Sequence, residues 1–370
     1  MRFRLFGLQS VAVRKPPSCP DPEIVTPCLL PSRREHLPMT NSVAVIGAGV
    51  SGLTCGTFFA ERGFSVRIFA EQVGTQTTSG AAGALWFPYD AEPADKVIPW
   101  ALATYKVLLE LAKDPSRGVS MIELRQYRRT DGMEIPNWAH SLGAKPLAGV
   151  RERRPPDRRL LESRGSEAAN SCLFSSGFSL RVPLMDTTIY LDYLIERFQS
   201  AGGEIKPGVR FTKIEDVGSS FDVMINCAGI GACELARDPN LEPHRGQVAI
   251  VSRPGTPECA IVCDDSPLMY VIPRTNDCVF GGTNDVSDNL EPDPITTKAI
   301  VAECARVLEI DSPRVIRERV GLRPFRKSGV RLEKEKLRDG RIVIHNYGHG
   351  GSGFTLSWGC GQDVFGLATS

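Results

Sequence analysis

Gly47-Ala48-Gly49-Val50-Ser51-Gly52 is a G-x-G-x-x-G run, and Glu71 follows it at a distance of about 20 residues. Glycines at this spacing let the backbone approach a pyrophosphate, and an acid so placed accepts hydrogen bonds from ribose hydroxyls. The negative charge of Glu71 disfavours a 2′-phosphate, and hence NADP. The five histidines and the scattered cysteines suggest neither a metal site nor an acid/base pair. Cys259 and Cys263 alone are closely spaced, and no second Cys or His pair stands beside them.

The elements that must hold these groups are legible around them. Val43-Ala44-Val45-Ile46 is a short β-branched run of the kind that forms a buried parallel strand. A helix follows, with Leu53, Phe58 and Phe59 on its apolar faces, and Gly63 ends it near Arg62. Its N-terminus points N–H groups and the positive end of its dipole at the glycine turn, while Gly52 lets it pack closely on the strand. A second strand, Ser65-Val66-Arg67-Ile68-Phe69, delivers Glu71. An incidental glycine turn would not bring strand, helix, strand and acid into one register. The unit defines a dinucleotide site but does not separate FAD from NAD.

The rest of the chain sets bounds. With 370 residues there is length for one large domain or two intertwined ones, and 42% hydrophobic with 24% charged residues is globular composition. A net charge of +1 gives no long-range field, so nucleic acid and acidic membranes are poor partners. Eleven cysteines, an odd number, read as reduced thiols. Ser42–Ala60 lacks charge but contains Gly47, Gly49, Gly52 and Gly56, which a strand-turn-helix explains and a membrane span does not. Residues 1–41 are expected to be a disordered or artefactual leader, with a targeting segment as the minority reading: the basic first twenty residues resemble a mitochondrial address, but prolines at 16, 17 and 20 spoil its helix, and Met39 stands just before the first strand. The arginine-dense stretch Arg151–Arg164 is interleaved with Glu152, Asp157 and Glu162 and reads as a solvated loop.

Downstream segments resemble the D-amino-acid oxidase family. They are Ala81-Ala82-Gly83-Ala84-Leu85-Trp86-Phe87-Pro88-Tyr89, Pro183-Leu184-Met185-Asp186-Thr187 with Tyr190-Leu191, Ile225-Asn226-Cys227-Ala228-Gly229, Arg245-Gly246-Gln247, Tyr270-Val271-Ile272-Pro273-Arg274 and Gly321-Leu322-Arg323-Pro324. The most specific is His345-Asn346-Tyr347-Gly348-His349-Gly350-Gly351-Ser352-Gly353-Phe354-Thr355. Together they span residues 43–362 in the family's order. The resemblance implies FAD as cofactor and a D-amino acid as substrate. It implies cofactor contacts at Thr77, Thr78, Ser79 and Gly83, at Cys227, Ala228 and Gly229, and at Gly350, Gly351, Ser352, Gly353, Phe354 and Thr355. Four glycines between 348 and 353 form a loop whose N–H groups suit a flavin edge where negative charge grows on reduction, and a helix could begin at Phe354. The resemblance also assigns Arg323 to the substrate carboxylate, which a guanidinium fork binds bidentately, with Tyr270 donating to the same group and Gly351 and Phe87 beside the substrate. By type alone Arg323 is no different from Arg314, Arg317, Arg319, Arg326 and Arg331 around it. His345 and His349 are expected to be structural or next to the flavin.

The fold expected is α/β: a Rossmann-type FAD-binding domain (residues 42–95, 175–235 and 315–370) interleaved with an α+β substrate domain on a mixed antiparallel sheet (96–174 and 236–314). The implied reaction is hydride transfer from Cα to the flavin, giving a 2-oxo acid, ammonia and hydrogen peroxide, with no obligatory side-chain base. Two departures bear on specificity. Ser266 stands where family members often carry a second tyrosine on a mobile lid, and Phe87 stands where a polar residue is common. Phe87 favours neutral side chains; D-aspartate would need a further cation, for which Arg181 and Arg274 are the candidates. Other readings are a glycine or N-methylglycine oxidase, a dehydrogenase using another acceptor, and a flavin-binding protein without turnover. The partners expected are a D-amino acid and oxygen, with a homodimer left open. The C-terminal Leu367-Ala368-Thr369-Ser370 is not the Ser-Lys-Leu peroxisomal address, and the compartment expected is the cytoplasm.

Overall fold

A computed structural model describes residues 42–147, 173–253, 255–311 and 313–370. The expected leader (residues 1–41) and the loop from Arg151 to Arg164 lie outside the described residues. In chain order the strands are β1 (Ser42–Ala48), β2 (Ser65–Val73), β3 (Val119–Arg128), β4 (Lys145–Pro146), β5 (Ser176–Met185), β6 (Glu204–Pro207), β7 (Val223–Asn226), β8 (Leu241–Ser252), β9 (Ala260–Cys263), β10 (Met269–Pro273), β11 (Asp277–Gly281), β12 (Asp285–Val286), β13 (Val315–Arg326), β14 (Arg331–Lys336) and β15 (Ile342–Tyr347). The helices are α1 (Val50–Ala60), α2 (Ala94–Leu111), α3 (Asn137–Ser141), α4 (Thr187–Ser200), α5 (Ala232–Leu235), α6 (Pro294–Leu308) and α7 (Gly353–Thr369).

Six strands form the first sheet, in the order β14-β15-β7-β1-β2-β6. All its pairings are parallel except β14 with β15. The unbroken apolar run of β1 follows from its central place. Val43 and Val45 enter one core with Leu53 and Phe59 of α1, and Ala44 and Ile46 enter another with Met224 and Phe221. Both faces are covered, so the central positions Val43–Ile46 are all apolar. Helix α1 packs against α4 and α7, where Phe58, Phe59, Phe64 and Phe365 form an edge-to-face aromatic cluster. The uncharged stretch Ser42–Ala60 is thus β1, a turn and α1. Among the described residues no helix is long and apolar enough to cross a membrane.

The second sheet runs β12-β8-β11-β10-β9-β3-β5-β4, with β13 along the other edge of β8. It is antiparallel except where β3 meets β9, so it is mixed in the expected sense. Helix α6 covers it through Ile300 and Cys304, packed with Val251, Val271 and Phe280. Sheet membership departs from the expected partition at two segments. Residues 176–185 pair with β3, and residues 315–326 pair with β8, although both were expected among the flavin segments. Motifs near them in sequence do not choose a strand's partners; the free edges of β3 and β8 do. Both sheets belong to one unit, Thr40–Ser370.

Candidate active site

β1 runs into Gly47, whose φ of 104° only glycine adopts readily. A β-carbon there would lie 2.3 Å from the carbonyl oxygen of Cys227, at the end of β7. One on Gly52 would lie 1.9 Å from Gly47 O. Strand, turn and helix therefore close on each other with no room for a side chain. They border a cavity of about 780 Å³ lined by Gly47, Ala48, Gly49, Val50, Ser51, Glu71, Thr77, Thr78, Ser79, Gly83, Cys227, Ala228 and Gly229, and by Gly350, Gly351, Gly353 and Phe354. A bare glycine turn at a helix N-terminus, an acid across from it and a second glycine loop are the donor set that a dinucleotide with a pyrophosphate needs. The residues present fit FAD.

Three expected cofactor contacts do not line the cavity. Gly52 serves the closure of helix on strand. Ser352 Oγ accepts from Tyr89 N–H at 2.7 Å and donates to Tyr89 O, and Thr355 Oγ1 accepts from Phe87 N–H at 3.1 Å and donates to Phe87 O at 3.0 Å. Both hydroxyls fix the segment that carries Phe87 and Tyr89, and are buried in doing so. In the glycine loop, Gly350 N–H is taken by Pro324 O at 3.0 Å and Ser352 N–H by His349 O at 2.9 Å, while Gly351 and the first turn of α7 (Gly353, Phe354 and Thr355) keep N–H groups that no backbone carbonyl among the described residues accepts. Ser79 Oγ accepts from Val50 N–H at 3.0 Å and so latches residues 74–82 onto the start of α1. Two further cations line the cavity, neither of them assigned to it from the sequence. Arg210 stands 3.7 Å from Glu71, and Arg319 donates to Thr75 O at 3.2 Å without a carboxylate partner among the described residues. His349 also lines the cavity and donates through Nε2 to Asn346 Oδ1 at 3.0 Å, in the tautomer which that bond implies. Burial pushes its pKa down to about 4, so the ring is neutral at pH 7. His345 instead faces Glu335 and Asn226, outside the cavity.

Arg323, Tyr270 and Phe87 line the same cavity. β13 brings Arg323 alongside β8, where Gly321 is paired with Gly246, and the guanidinium lies over Gly246. Nη1 donates to Thr283 O at 2.9 Å and to Asn284 Oδ1 at 3.3 Å. No carboxylate pairs with Arg323 among the described residues, whereas Arg317, Arg326 and Arg331 pair with Asp277, Asp238 and Glu333. Thr283 and Asn284 hold one edge of the guanidinium and the Tyr270 hydroxyl bonds to it, with no carboxylate among the described residues to compete with a ligand. Tyr270 on β10 lies opposite Gly281 of β11, and a β-carbon on Gly281 would fall 2.0 Å from the ring. Burial raises the Tyr270 pKa and the charge of Arg323 opposes the shift, so the hydroxyl is a donor beside a cation. Tyr89, which the sequence reading passed over, belongs to the same group. It lines the cavity, its hydroxyl accepts from Asn284 Nδ2 at 3.5 Å, and its ring packs where a side chain on Gly351 would stand. Burial, then Asp264 and Asp90, push its pKa up to about 12. Its place in the segment from Ala81 to Tyr89 was the available signal.

The two cations proposed for D-aspartate are elsewhere. Arg274 is buried, with Nε and Nη2 on Asp277 at 2.7 and 2.9 Å and Nη1 on Thr187 at 3.0 Å. Arg181 is exposed on β5 and reaches Met121 O at 3.4 Å. Neither lines the cavity. Among the described residues no cluster of His, Cys, Asp or Glu could hold a metal, and all the cysteines are free thiols.

The family model described as FAD dependent oxidoreductase (DAO) matches residues 42–366. A D-amino-acid oxidase of Rubrobacter xylanophilus is 38% identical over 328 residues, covering 88% of this chain and 94% of the relative. The chain belongs to the D-amino-acid oxidase family of FAD-dependent oxidoreductases. This family member is also 38% identical to a D-amino-acid oxidase of Streptomyces coelicolor, over 88% of its own length and 96% of the relative's. In fold the oxidoreductase is similar to glycine oxidase from Geobacillus kaustophilus, with a TM-score of 0.71 at 17% identity over 88% of this chain and 94% of that one.

Proposed function

We propose that the chain oxidises D-amino acids, neutral ones in preference to acidic ones, to 2-oxo acids and ammonia, with oxygen as final acceptor and hydrogen peroxide as product. The observation that carries this reading is Arg323: a guanidinium with no carboxylate partner among the described residues, anchored at one edge by Thr283 and Asn284, in a cavity shared with the dinucleotide residues. An α-carboxylate completes it bidentately, and the Tyr270 hydroxyl donates to the same group. Bound FAD supplies the acceptor for the two electrons of the Cα–H bond. Gly47–Ser51, Glu71, Thr77, Thr78, Ser79 and Cys227–Gly229 would hold it from one side, and Gly350, Gly351, Gly353 and Phe354 from the other. Fixing the carboxylate fixes Cα, and such positioning is worth on the order of 7–11 kcal/mol of barrier. His349 stays neutral and adds no charge near the reacting carbon. Phe87, Leu85 and Ile272 give the cavity apolar walls; Arg274 and Arg181 lie outside it, and Arg319 is bonded to Thr75 O, next to the cofactor residues Thr77–Ser79 rather than beside Phe87. On this reading the six-stranded sheet with its helices is the FAD-binding part and the nine-stranded sheet the substrate part.

Anaerobic addition of D-alanine, L-alanine and D-aspartate to the holoenzyme tests it through the visible flavin absorbance. Bleaching by D-alanine alone is the expected result. Bleaching only by D-aspartate would overturn the neutral preference, and a flavin that none of them bleaches would point to a small secondary amine or to lost turnover. Stoichiometric peroxide under air separates an oxidase from a dehydrogenase with another acceptor.

A further inference from the structure

Asp264 lines the cavity that holds Arg323, Tyr270 and Phe87, directly after β9. Its neighbour Asp265 faces elsewhere, because Arg129 N–H donates to Asp265 Oδ2 at 2.6 Å and the Arg129 guanidinium donates to Asp265 O. Among the described residues Asp264 has one protein donor, Gln126 Nε2, at 2.8 Å from Oδ2. Gln126 is a buried residue of β3, 3% exposed, so it fixes the carboxylate from behind. No Lys or Arg pairs with Asp264 among the described residues. Burial pushes its carboxyl up, the Gln126 bond and the charge of Arg128 pull it down, and Asp265 and Asp90 push it further up. Exposed at the cavity wall, this carboxylate lacks a cation that a ligand could bring.

The cavity therefore offers an open guanidinium and an open carboxylate, with apolar surface from Phe87, Val262 and Leu268 in the same lining. We propose that Asp264 is the residue that selects, among long side chains, those that end in a cation over uncharged ones of the same length. This rests on the D-amino acid reading of the same site. The α-nitrogen is the poorer partner for Asp264. A carboxylate beside it would stabilise the ammonium, whereas loss of the Cα hydride requires the neutral amine. A methylene stem against Phe87, Val262 and Leu268 with an ammonium at Asp264 places each part of the side chain on matching surface. The same anion repels an acidic side chain, which reinforces the discrimination against D-aspartate.

The test compares D-lysine with D-norleucine, which has the same carbon chain without the ammonium, on the wild-type holoenzyme and on Asp264→Asn. The Asn variant keeps the shape and an acceptor for Gln126. The ratio of kcat/KM for D-lysine over D-norleucine is expected to fall by about tenfold or more in the variant, the effect of one partly desolvated charge pair. A parallel titration with 6-aminohexanoate and hexanoate, followed by perturbation of the flavin spectrum, measures the same preference without turnover. If no D-amino acid is oxidised but 6-aminohexanoate binds the wild type more tightly and this preference disappears in Asp264→Asn, the function assigned above fails and the role of Asp264 stands. A ratio that is the same in both proteins, in turnover and in binding, overturns the role of Asp264 and leaves the oxidase reading intact. Equal losses on D-lysine and D-norleucine overturn it too, because they would place Asp264 at the α-nitrogen.

Discussion

A β-carbon on Gly246 would lie 2.4 Å from Nη1 of Arg323, and 2.6 Å from both Nη2 and the guanidinium carbon. The obstructed group is the tip of a flexible side chain, so the fold can yield where the chemistry cannot. Gly246→Ala is expected to keep its flavin and its melting temperature, while kcat/KM for D-alanine falls by about 10²-fold, the usual cost of displacing a substrate-positioning group by about 1 Å. Steady-state kinetics with flavin content as control checks this. Unchanged kinetics would mean that Arg323 does not meet the substrate where this geometry puts it.

Arg323 itself gives a sharper pair of variants. Arg323→Ala removes the charge and Arg323→Lys keeps it without the fork. A charge-assisted bidentate pair is worth more than a point charge on a mobile stem, so Lys should rescue only a small part of the loss. Both variants should retain flavin, because the dinucleotide residues lie on other elements. The measurement is kcat/KM for D-alanine, expected to drop by about 10³-fold in the Ala variant; full rescue by Lys would argue against bidentate binding.

How far the sequence reaches is visible in these residues. The strand-turn-helix from Val43 to Glu71 was legible because each glycine there is demanded by local backbone geometry, which a short window encodes. For Ser352 and Thr355 the sequence gives proximity to a glycine loop but not the direction of a side chain. Their hydroxyls turn to the backbone of Phe87 and Tyr89, more than 260 positions away. Gly246 stood in a family-like segment and Gly281 in none, and neither showed what it makes room for, since the ring and guanidinium they admit come from strands paired with theirs only in the folded sheet. Placement of β5 and β13 in the second sheet has the same cause.

Gly47→Ala separates cofactor from substrate effects. Its β-carbon would meet backbone atoms of Cys227 and Ala228 at 2.3–3.2 Å, and its φ of 104° strains any L side chain. Neither obstacle can swing aside, so β1 and β7 must part where they cradle the dinucleotide. The purified variant is expected to lack visible flavin absorbance and to recover it incompletely with excess FAD. A fully yellow Gly47→Ala protein would remove the glycine turn from the cofactor site.

His349 makes stability depend on pH. Its pKa is lowered from 6.5 to about 4 by burial. Above pH 6.5 the ring is neutral in both folded and unfolded chains and stability is at its full value. As pH falls from 6.5 towards 4, the unfolded chain takes up a proton that the native state refuses, so stability declines, by up to about 3 kcal/mol. His345 is pushed in the same direction, and the comparison with His349→Gln isolates His349. Asp238, brought to about 2 against burial by Arg326, the Asn240 N–H and Tyr347, loses its contribution only below this window. Urea midpoints measured near pH 7.5 and near pH 5 should converge less in the wild type than in His349→Gln. Equal pH sensitivity would mean that His349 is protonated inside the fold.

Arg274 distinguishes a structural cation from a specificity cation. It is 4% exposed and holds Asp277 with two hydrogen bonds and Thr187 with a third. Removing it leaves Asp277, itself largely buried and then facing only the more distant Arg317 at 3.5 Å. Arg274→Ala is therefore expected to cost about 3–5 kcal/mol of stability, as breaking one side of a buried pair does. The ratio of D-aspartate to D-alanine turnover should stay where the wild type sets it, because no atom of Arg274 borders the cavity. A variant that folds as well as the wild type but loses residual D-aspartate turnover would return Arg274 to the substrate site, and with it the acidic specificity that the buried geometry argues against.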